Sequence, residues 1–185
     1  DEWIEGVPAL LMAWYPGMMG GTAIAETLFG DNNPAGRLPV TVPKSTRQLP
    51  PLDTKSSEVA YDYWHDYRFF DHRQIEPRYP YGFGLSYTTF KYTGLALGRK
   101  KLTGEGTLAV NVTVKNTGPM DGDEVVQLYI SYENSKIVPR PLKELKGFSK
   151  EFLKAGETRT ITFTITPEDL KFYNYDLVYD WEPGE

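Results

Sequence analysis

The stretch that decides the fold is "TLAVNVTVKN", residues 107–116, in which apolar and polar side chains alternate. Four aliphatic residues share one face of an extended chain: Leu108, Val110, Val112 and Val114. The opposite face carries Asn111, Thr113 and Lys115. Because successive side chains of a strand point to opposite sides, this period of two predicts a half-buried strand of an antiparallel sheet.

Two later stretches repeat the pattern. "DEVVQLYISY", residues 123–132, places Val126, Leu128 and Ile130 on one side, and "ETRTITFTIT", residues 157–166, sets three apolar residues opposite a row of threonines. Turn-forming stretches such as "NTGPMDG" and "LKAGE" separate these strands. The pattern predicts an antiparallel β-sandwich. Near the end, "DLVYDWEPGE" supplies one strand and a turn, so we expect the sandwich to lack its last strand.

The first 43 residues follow a different pattern. "PALLMAWY", residues 8–15, is apolar on both faces, as a strand covered on both sides of a parallel sheet requires. "GGTAIAETLFG", residues 20–30, predicts a short amphipathic helix with Thr22 as its cap and Gly30 as its stop. "RLPVTVP", residues 37–43, predicts one more strand. Residues 1–43 therefore indicate the end of an α/β sheet.

Residues 44–80 separate these two parts. "KSTRQLPPLDTKSSE", residues 44–58, has the composition of a linker, and "VAYDYWHDYRFFDH", residues 59–72, is too irregular for a helix or a strand. We predict a linker followed by a structured aromatic loop. The predicted fold class is mixed: a partial α/β segment in 1–43, this connection in 44–80, and an all-β sandwich in 81–185.

Composition and charge argue against nucleic acid and membranes as partners. The 25 acidic and 20 basic residues give a net charge of -5 and are spread along the chain, so no basic stripe is available for nucleic acid. No apolar run approaches the roughly 20 residues that span a bilayer, so a membrane partner is excluded as well. The chain has 0 cysteines, which excludes disulfides, thiolate metal sites and a cysteine nucleophile.

Several motifs, in this order, resemble the glycoside hydrolase family 3 β-glucosidases and β-xylosidases. They are "AWYPGMMGGTAIAETLFGDNNPAGRLPVTVP", "DYRFFDHRQIEPRYPYGFGLSYTTF", "VKNTGPMDGDEVVQLYIS" and "RPLKELKGF" followed by "AGETRTITFTI". The resemblance implies that a catalytic barrel precedes an α/β sandwich, and that a fibronectin-type-III-like domain of immunoglobulin-like fold follows. Residues 76–90 then form the joint between the last two domains, with Tyr79, Tyr81, Phe83 and Tyr87 wedged between them.

The same resemblance implies retaining hydrolysis of terminal non-reducing β-linked sugars by two carboxylates. Substrates of the complete enzyme are then β-glucosides or cello-oligosaccharides, no cofactor is needed, and a periplasmic or secreted location is favoured. Both catalytic carboxylates precede this chain in the family, so we expect no catalytic residue here. The partners are the remaining catalytic domains, in the same or an associated chain, whose active site this portion supports.

The aromatic loop contains the candidates for contact with substrate. Four residues are placed either at the rim of the active site or in an interdomain contact: Trp64, Asp66, Tyr67 and Arg68. Sugar sites commonly pair carboxylates with aromatic platforms, and Asp62 and Asp71 share these surroundings. We favour the interdomain contact, in which arginines pair the carboxylates, because the loop lies outside the barrel where the sugar should bind.

For the remaining polar residues we predict no catalytic or metal-binding role. Glu26 is placed in the first turns of the helix, where the helix dipole favours a carboxylate. His65 and His72 have no ligand cluster, so no metal site is expected. Ser86 is interpreted as a turn hydroxyl, and the glycosylation sequon at Asn111 as a chance match within a strand.

The alternative function is a stand-alone β-sandwich module that binds carbohydrate or protein through exposed aromatic side chains. Residues 1–43 argue against it, since such a module has no use for part of a parallel sheet.

Overall fold

The computed structural model describes residues 2–53, 55–60, 63–132 and 134–184. Within these ranges the helices are α1, Gly20–Phe29, and α2, Tyr67–Arg73. The strands are β1 Phe90–Leu97, β2 Leu108–Asn116, β3 Gly122–Ile130, β4 Glu144–Leu153, β5 Thr158–Ile165, β6 Phe172–Tyr173 and β7 Tyr179–Asp180. Short 3₁₀ helices lie at Glu2–Gly6, Thr46–Gln48 and Pro167–Leu170. The described part of the chain is thus mostly sheet with few helices.

Two antiparallel sheets form the sandwich predicted from the alternation. One has the order β1-β2-β5 and the other pairs β3 with β4. β2 and β5 run in unbroken register from Leu108 opposite Ile165 to Lys115 opposite Thr158. The core between the sheets is built from apolar residues of four strands: Val114, Val126, Leu153 and Ile161. The apolar face predicted for β2 therefore turns inward, and the threonines of β5 face solvent.

A buried amide lies at one end of this core. The side chain of Asn116 is fully buried, and its Oδ1 accepts a hydrogen bond of 2.6 Å from the Thr88 hydroxyl. Its Nδ2 donates to the carbonyls of Met120, at 2.8 Å, and Leu153, at 3.0 Å. Since buried polar groups are stable only when hydrogen-bonded, Asn116 specifies how the end of the joint, the β2–β3 turn and β4 meet.

The sequence pattern missed β1 and β4. In β1 the register shifts between Thr93 and Ala96, and Gly94 adopts a φ of +64° there. Such a bulge breaks the period of two. In β4 the exposed side chains include Phe148 and Phe152, so apolar residues occur on both faces and the alternation is lost.

The two strands predicted in the first 43 residues are wrong for this structure. Residues 8–15 pair with no other described segment, and their apolar side chains are exposed, with Tyr15 at 100%. Residues 37–43 contain only an isolated bridge between Val42 and Tyr79. For residues 8–15 the physical reason is that a strand requires hydrogen-bonding neighbours, which the described residues do not supply there. Residues 37–43 do bond to the joint, through Leu38 and Val42, but Pro39 and Pro43 have no N–H with which to continue a ladder.

Helix α1 matches the predicted segment but differs in its caps. It begins at Gly20 with Met19 at the N-cap, so the prediction of Thr22 as cap is wrong. Gly30 ends the helix in the left-handed conformation at φ +87°, as predicted. Glu26 lies in the second half of the helix, exposed, so its assignment to the first turns is wrong as well.

The segment predicted to be a loop contains α2. This helix has only seven residues, and its one buried side chain is Phe70. A helix this short is marginal by itself and depends on tertiary packing, which an irregular aromatic sequence does not reveal. Of the helices in the described ranges, neither is long and apolar enough to cross a membrane.

Candidate functional site

Asp66 opens α2 and holds it against the N-terminal segment. Its carboxylate Oδ1 accepts a hydrogen bond of 2.7 Å from the backbone N–H of Thr41. Its backbone has a φ of +50°, and its carbonyl oxygen accepts the N–H groups of Phe69 and Phe70. Positive φ is unfavourable for a residue with a Cβ, so the surrounding contacts maintain this geometry. The carboxylate therefore has a structural partner.

Tyr67 and Arg68 attach α2 to the start of β4. The Tyr67 hydroxyl oxygen accepts a hydrogen bond of 3.2 Å from the backbone N–H of Leu145. Arg68 Nη2 lies 3.3 Å from Glu144 Oε1, and Glu144 Oε2 lies 3.3 Å from Arg140 Nη2. These two candidate residues thus connect the loop to β4 of the sandwich.

Trp64 contacts α2 through His72. Its indole ring stacks on the His72 ring at a centroid distance of 4.0 Å and an angle of 4°. Tyr63 meets the indole edge-on at 5.0 Å. Burial, followed by the negative charge of Glu144, raises the pKa of the Tyr63 hydroxyl. One face of Trp64 is therefore covered by the His72 ring of α2.

A cleft of about 490 Å³ lies between α2, the joint and β3. Its aromatic walls are formed by Phe70 and four tyrosines, Tyr67, Tyr81, Tyr92 and Tyr129. Of the four candidate residues, Tyr67 lines this cleft, whereas Trp64, Asp66 and Arg68 do not. Asp71, from the same loop, also lines it, and Asp62 lies outside the described residues.

The charges in the cleft are paired. Arg37 Nη2 lies 2.5 Å from Glu124 Oε2, and Lys143 Nζ lies 3.2 Å from Asp71 Oδ2. Since these are the charged residues of the lining, two cations balance two carboxylates. The cleft therefore offers aromatic faces and hydrogen-bonding groups with no net charge.

Two of the tyrosines have a raised pKa, chiefly because they are partly buried. Burial, and then the hydrogen bond to Glu124, raises the pKa of Tyr92, whose hydroxyl donates to Glu124 Oε1 at 2.6 Å. Burial raises the pKa of Tyr129 to about 12, with a smaller contribution from Tyr81. Its hydroxyl donates to Gln127 Oε1 at 2.6 Å. Both phenols are therefore neutral hydrogen-bond donors at physiological pH.

Both halves of the chain match known protein families. Residues 1–87 match the glycosyl hydrolase family 3 C-terminal domain, and residues 124–185 match the fibronectin type III-like domain. The chain belongs to glycoside hydrolase family 3. It corresponds to the C-terminal portion of these enzymes, which confirms the resemblance drawn from the motifs.

Three family 3 relatives illustrate the match. Beta-glucosidase BoGH3A of Bacteroides ovatus is 37% identical over 99% of this chain and 26% of its own length. A beta-xylosidase of Formosa agariphila is 42% identical over 97% of this chain and 24% of its own length. The structure of beta-glucosidase 3B from Thermotoga neapolitana in complex with α-D-glucose superimposes with a TM-score of 0.85 at 36% identity, over 94% of this chain and 25% of that one. The chain thus spans about a quarter of the relatives' length.

Asn33, which the sequence pattern does not single out, organises the joint. Asn33 Oδ1 accepts hydrogen bonds of 2.8 Å from the Ser86 hydroxyl and from the Tyr87 backbone N–H. Its Nδ2 donates to the Asp121 carbonyl at 2.9 Å. The surrounding "DNNPAG" predicts only a turn, and no local signal distinguishes Asn33 from its neighbours. Ser86, interpreted as a turn hydroxyl, thus has a structural partner.

Asn111 and the candidate metal ligands show no functional arrangement within the described residues. Asn111 lies in β2, where its Oδ1 accepts a hydrogen bond of 2.7 Å from the Thr162 hydroxyl. In the part of the chain that the structure describes, no group of three or more His, Cys, Asp and Glu residues could hold a metal ion.

Proposed function

We propose that the complete protein is a retaining β-glycosidase, a β-glucosidase in particular, that hydrolyses terminal non-reducing β-linked sugars. Its substrates are β-glucosides or cello-oligosaccharides. Family membership and relatives named as β-glucosidases and β-xylosidases support this activity. This chain is the structural portion: residues 1–43 are the end of the α/β domain, 44–80 the interdomain connection and 81–185 the fibronectin-type-III-like domain.

The observation that carries the structural role is the contact between the N-terminal segment and the sandwich. Arg37 and Glu124 meet across it as a largely buried ion pair. Asn33 bonds both to the joint, at Ser86 and Tyr87, and to the turn before β3, at Asp121. A rigid connection of this kind keeps a domain at a defined position, as support of a distant active site requires.

The acidic residues of the loop and the sheets support the absence of catalysis in this chain. Retaining hydrolysis requires one carboxylate free to attack the sugar and one free to exchange a proton with it. Here Asp66 accepts the Thr41 N–H, Asp71 pairs with Lys143, and Glu124 pairs with Arg37. These carboxylates stabilise the fold, so we place the catalytic pair elsewhere in the complete protein.

The exposed apolar residues of 8–15 are the surface that the remaining catalytic domains would cover. Leu10, Leu11, Met12 and Trp14 are all exposed along this segment. An apolar stretch of this length on a folded protein marks an interaction surface. We place the neighbouring strands of the α/β domain against it.

The test compares the 185-residue chain with the complete polypeptide on nitrophenyl β-glucoside and nitrophenyl β-xyloside. We expect the complete polypeptide to release nitrophenol and the chain to match a mock preparation. Turnover by the chain that Asp66→Asn or Asp71→Asn abolishes would contradict the structural role. An inactive complete polypeptide would contradict the glycosidase activity itself.

One observation favours the alternative, a module that binds carbohydrate through its surface. Tyr173, Tyr175 and Trp181 are exposed on and beside the β6–β7 hairpin. Exposed aromatic rings can stack on sugar rings. Sedimentation with insoluble cellulose or xylan tests this: retention that Tyr173→Ala and Tyr175→Ala abolish would support the module, and no retention would exclude it for these polymers.

A further inference from the structure

Two phenylalanines of β4 are exposed on the outer face of the sheet that β3 and β4 form. Phe148 is 70% exposed and Phe152 is 49% exposed. Their neighbours in the chain face the core, since Leu153 is fully buried and a Cβ on Gly147 would meet the Phe163 ring. Because successive side chains of a strand point to opposite faces, the two phenylalanines point away from the core. They lie about 13 Å apart along the strand, at about 3.3 Å per residue.

The neighbouring strand β3 is already covered on this face. Gln127, which lies opposite Phe148 in the register, donates from its Nε2 to the Gly82 carbonyl of the joint at 3.2 Å. The Tyr129 hydroxyl donates to Gln127, and the Tyr129 ring meets the Tyr67 ring of α2 edge-on at 6.2 Å. Directly opposite residues of an antiparallel pair share a face. The joint and α2 therefore cover the β3 half of the outer face, whereas the phenylalanines of the β4 half remain exposed.

The elements that cover β3 indicate what covers β4. The joint up to residue 87 and α2 lie within the match to the glycosyl hydrolase family 3 C-terminal domain, residues 1–87. This chain spans about a quarter of the relatives' length, so a family 3 enzyme contains much more protein than the part that already lies on this sheet. The exposed β4 half is continuous with that existing contact. Further protein of the same domain can therefore extend the contact from β3 to β4.

The chemistry of the β4 half fits a protein surface. Lys150 lies between the two phenylalanines in the strand, and its Nζ is 3.4 Å from Asp123 Oδ2 on β3. Aromatic side chains beside paired charges are typical of contacts between domains, which are more polar than a core. The charge of Lys150 is balanced by Asp123, so the occupant needs no opposing charge and covers the rings with apolar groups.

We propose that the outer face of β4, at Phe148, Lys150 and Phe152, packs against the part of the α/β domain that precedes this chain in the complete polypeptide. This surface rests on the proposed function, in which residues 1–43 are the end of that domain. It adds a contact that the sandwich itself makes. The sandwich then holds the α/β domain at two places, the buried Arg37–Glu124 pair and the β4 face.

The test measures how accessible β4 is in the complete polypeptide. These 185 residues contain 0 cysteines, so Phe148→Cys supplies one thiol at a known position. Peptide mass spectrometry follows its alkylation by iodoacetamide separately from any cysteine elsewhere in the polypeptide. The matched control is Leu95→Cys in β1, because Leu95 is 74% exposed in this structure. Relative to the urea-unfolded polypeptide, we expect alkylation of Phe148→Cys to be about tenfold slower than that of Leu95→Cys, since the covered thiol reacts only when the contact opens.

A second variant keeps the result decisive if Phe148→Cys weakens the contact. Lys150→Cys leaves both phenylalanines in place, and we expect it to react slowly as well. Rates at both β4 positions equal to that of Leu95→Cys would overturn the proposal. Slow alkylation that becomes fast on dilution would also overturn it, because a second copy of the protein would then cover β4.

The glycosidase assay of the same polypeptide is a separate readout. An active polypeptide with fast alkylation at both β4 positions would refute this contact and leave the proposed activity. An inactive polypeptide with slow alkylation at β4 would refute the activity and support the contact.

Discussion

Arg37 and Glu124, 87 residues apart in the chain, form an ion pair of 2.5 Å whose side chains are only 12% and 10% exposed. The second carboxylate oxygen of Glu124 accepts the Tyr92 hydroxyl. Removing one partner of such a pair leaves the other charge desolvated, which destabilises a protein far more than the pair itself stabilises it. Together with the Asn33 hydrogen bonds, this contact therefore attaches residues 1–43 to the sandwich.

Arg37→Met should lower the free energy of unfolding by about 3–5 kcal/mol, because it leaves Glu124 buried without its cation. Urea unfolding monitored by tryptophan fluorescence measures the change. The matched control is Lys44→Met, which removes an exposed cation beside Glu76. This control should leave the urea midpoint nearly unchanged, since exposed ion pairs contribute little. Equal midpoints for the two variants would show that the Arg37–Glu124 contact is not buried in solution.

Tyr92→Phe should destabilise the fold by about 0.5–1.5 kcal/mol at neutral pH, less than a fully buried hydrogen bond to a charged acceptor, because Tyr92 is 44% exposed and solvent weakens the interaction. Burial and Glu124 raise the pKa of Tyr92 in the folded state. The stability that this hydroxyl contributes is therefore complete below the unfolded pKa of about 10 and decreases as the pH rises above it. Urea midpoints of wild type and Tyr92→Phe at pH 8 and 11 should converge at the higher pH. A gap that widens with pH would contradict this prediction.

Gly118→Ala should cost about 1–3 kcal/mol through overpacking. A Cβ at this position would lie 2.3 Å from Thr88 Oγ1, the donor to buried Asn116, and 2.8 Å from the Thr89 backbone nitrogen. The control is Gly21→Ala, where a Cβ in α1 meets nothing within 4 Å. That change should stabilise the helix by about 0.5–1 kcal/mol. Thermal unfolding should therefore shift in opposite directions, and a rise in Tm for Gly118→Ala would refute the close contact.

Asp169 should contribute stability that is lost in acid. Burial raises its pKa, but the hydrogen bonds that its Oδ2 accepts from the Thr166 N–H, at 2.8 Å, and hydroxyl, at 2.7 Å, outweigh burial and lower it. A lowered folded pKa means that the contribution is complete above the unfolded pKa of about 3.9 and disappears as the pH falls through the folded value.

Asp169→Asn should therefore destabilise the chain at pH 7, and its difference from wild type should shrink between pH 4 and pH 2. Urea unfolding at pH 7, 4 and 2.5 measures this. Glu168→Gln, at an exposed position in the same turn, serves as the control and should show no such convergence. A constant difference between Asp169→Asn and wild type at all three pH values would disprove the capping role.

The sites show where sequence analysis reaches its limit. The aromatic and acidic residues of 59–72 predict a contact surface, and Tyr67 and Asp71 do line the cleft. Trp64 and Arg68 have other partners, His72 and Glu144. Composition indicates the kind of surface that a segment can form, whereas the direction of each side chain depends on α2, a helix that only its packing stabilises.

The sequence by itself determined β2, β3 and β5, because alternation with a period of two is a local property that one buried face imposes on each strand. It determined the end of α1 at Gly30 in the same way, since the left-handed conformation there favours glycine. Only the tertiary structure decided the Arg37–Glu124 pair, the role of Asn33 and the cleft. The contacts of Arg37 and Asn33 join side chains 53 to 88 residues apart, and no local pattern records which distant residues will share a buried contact.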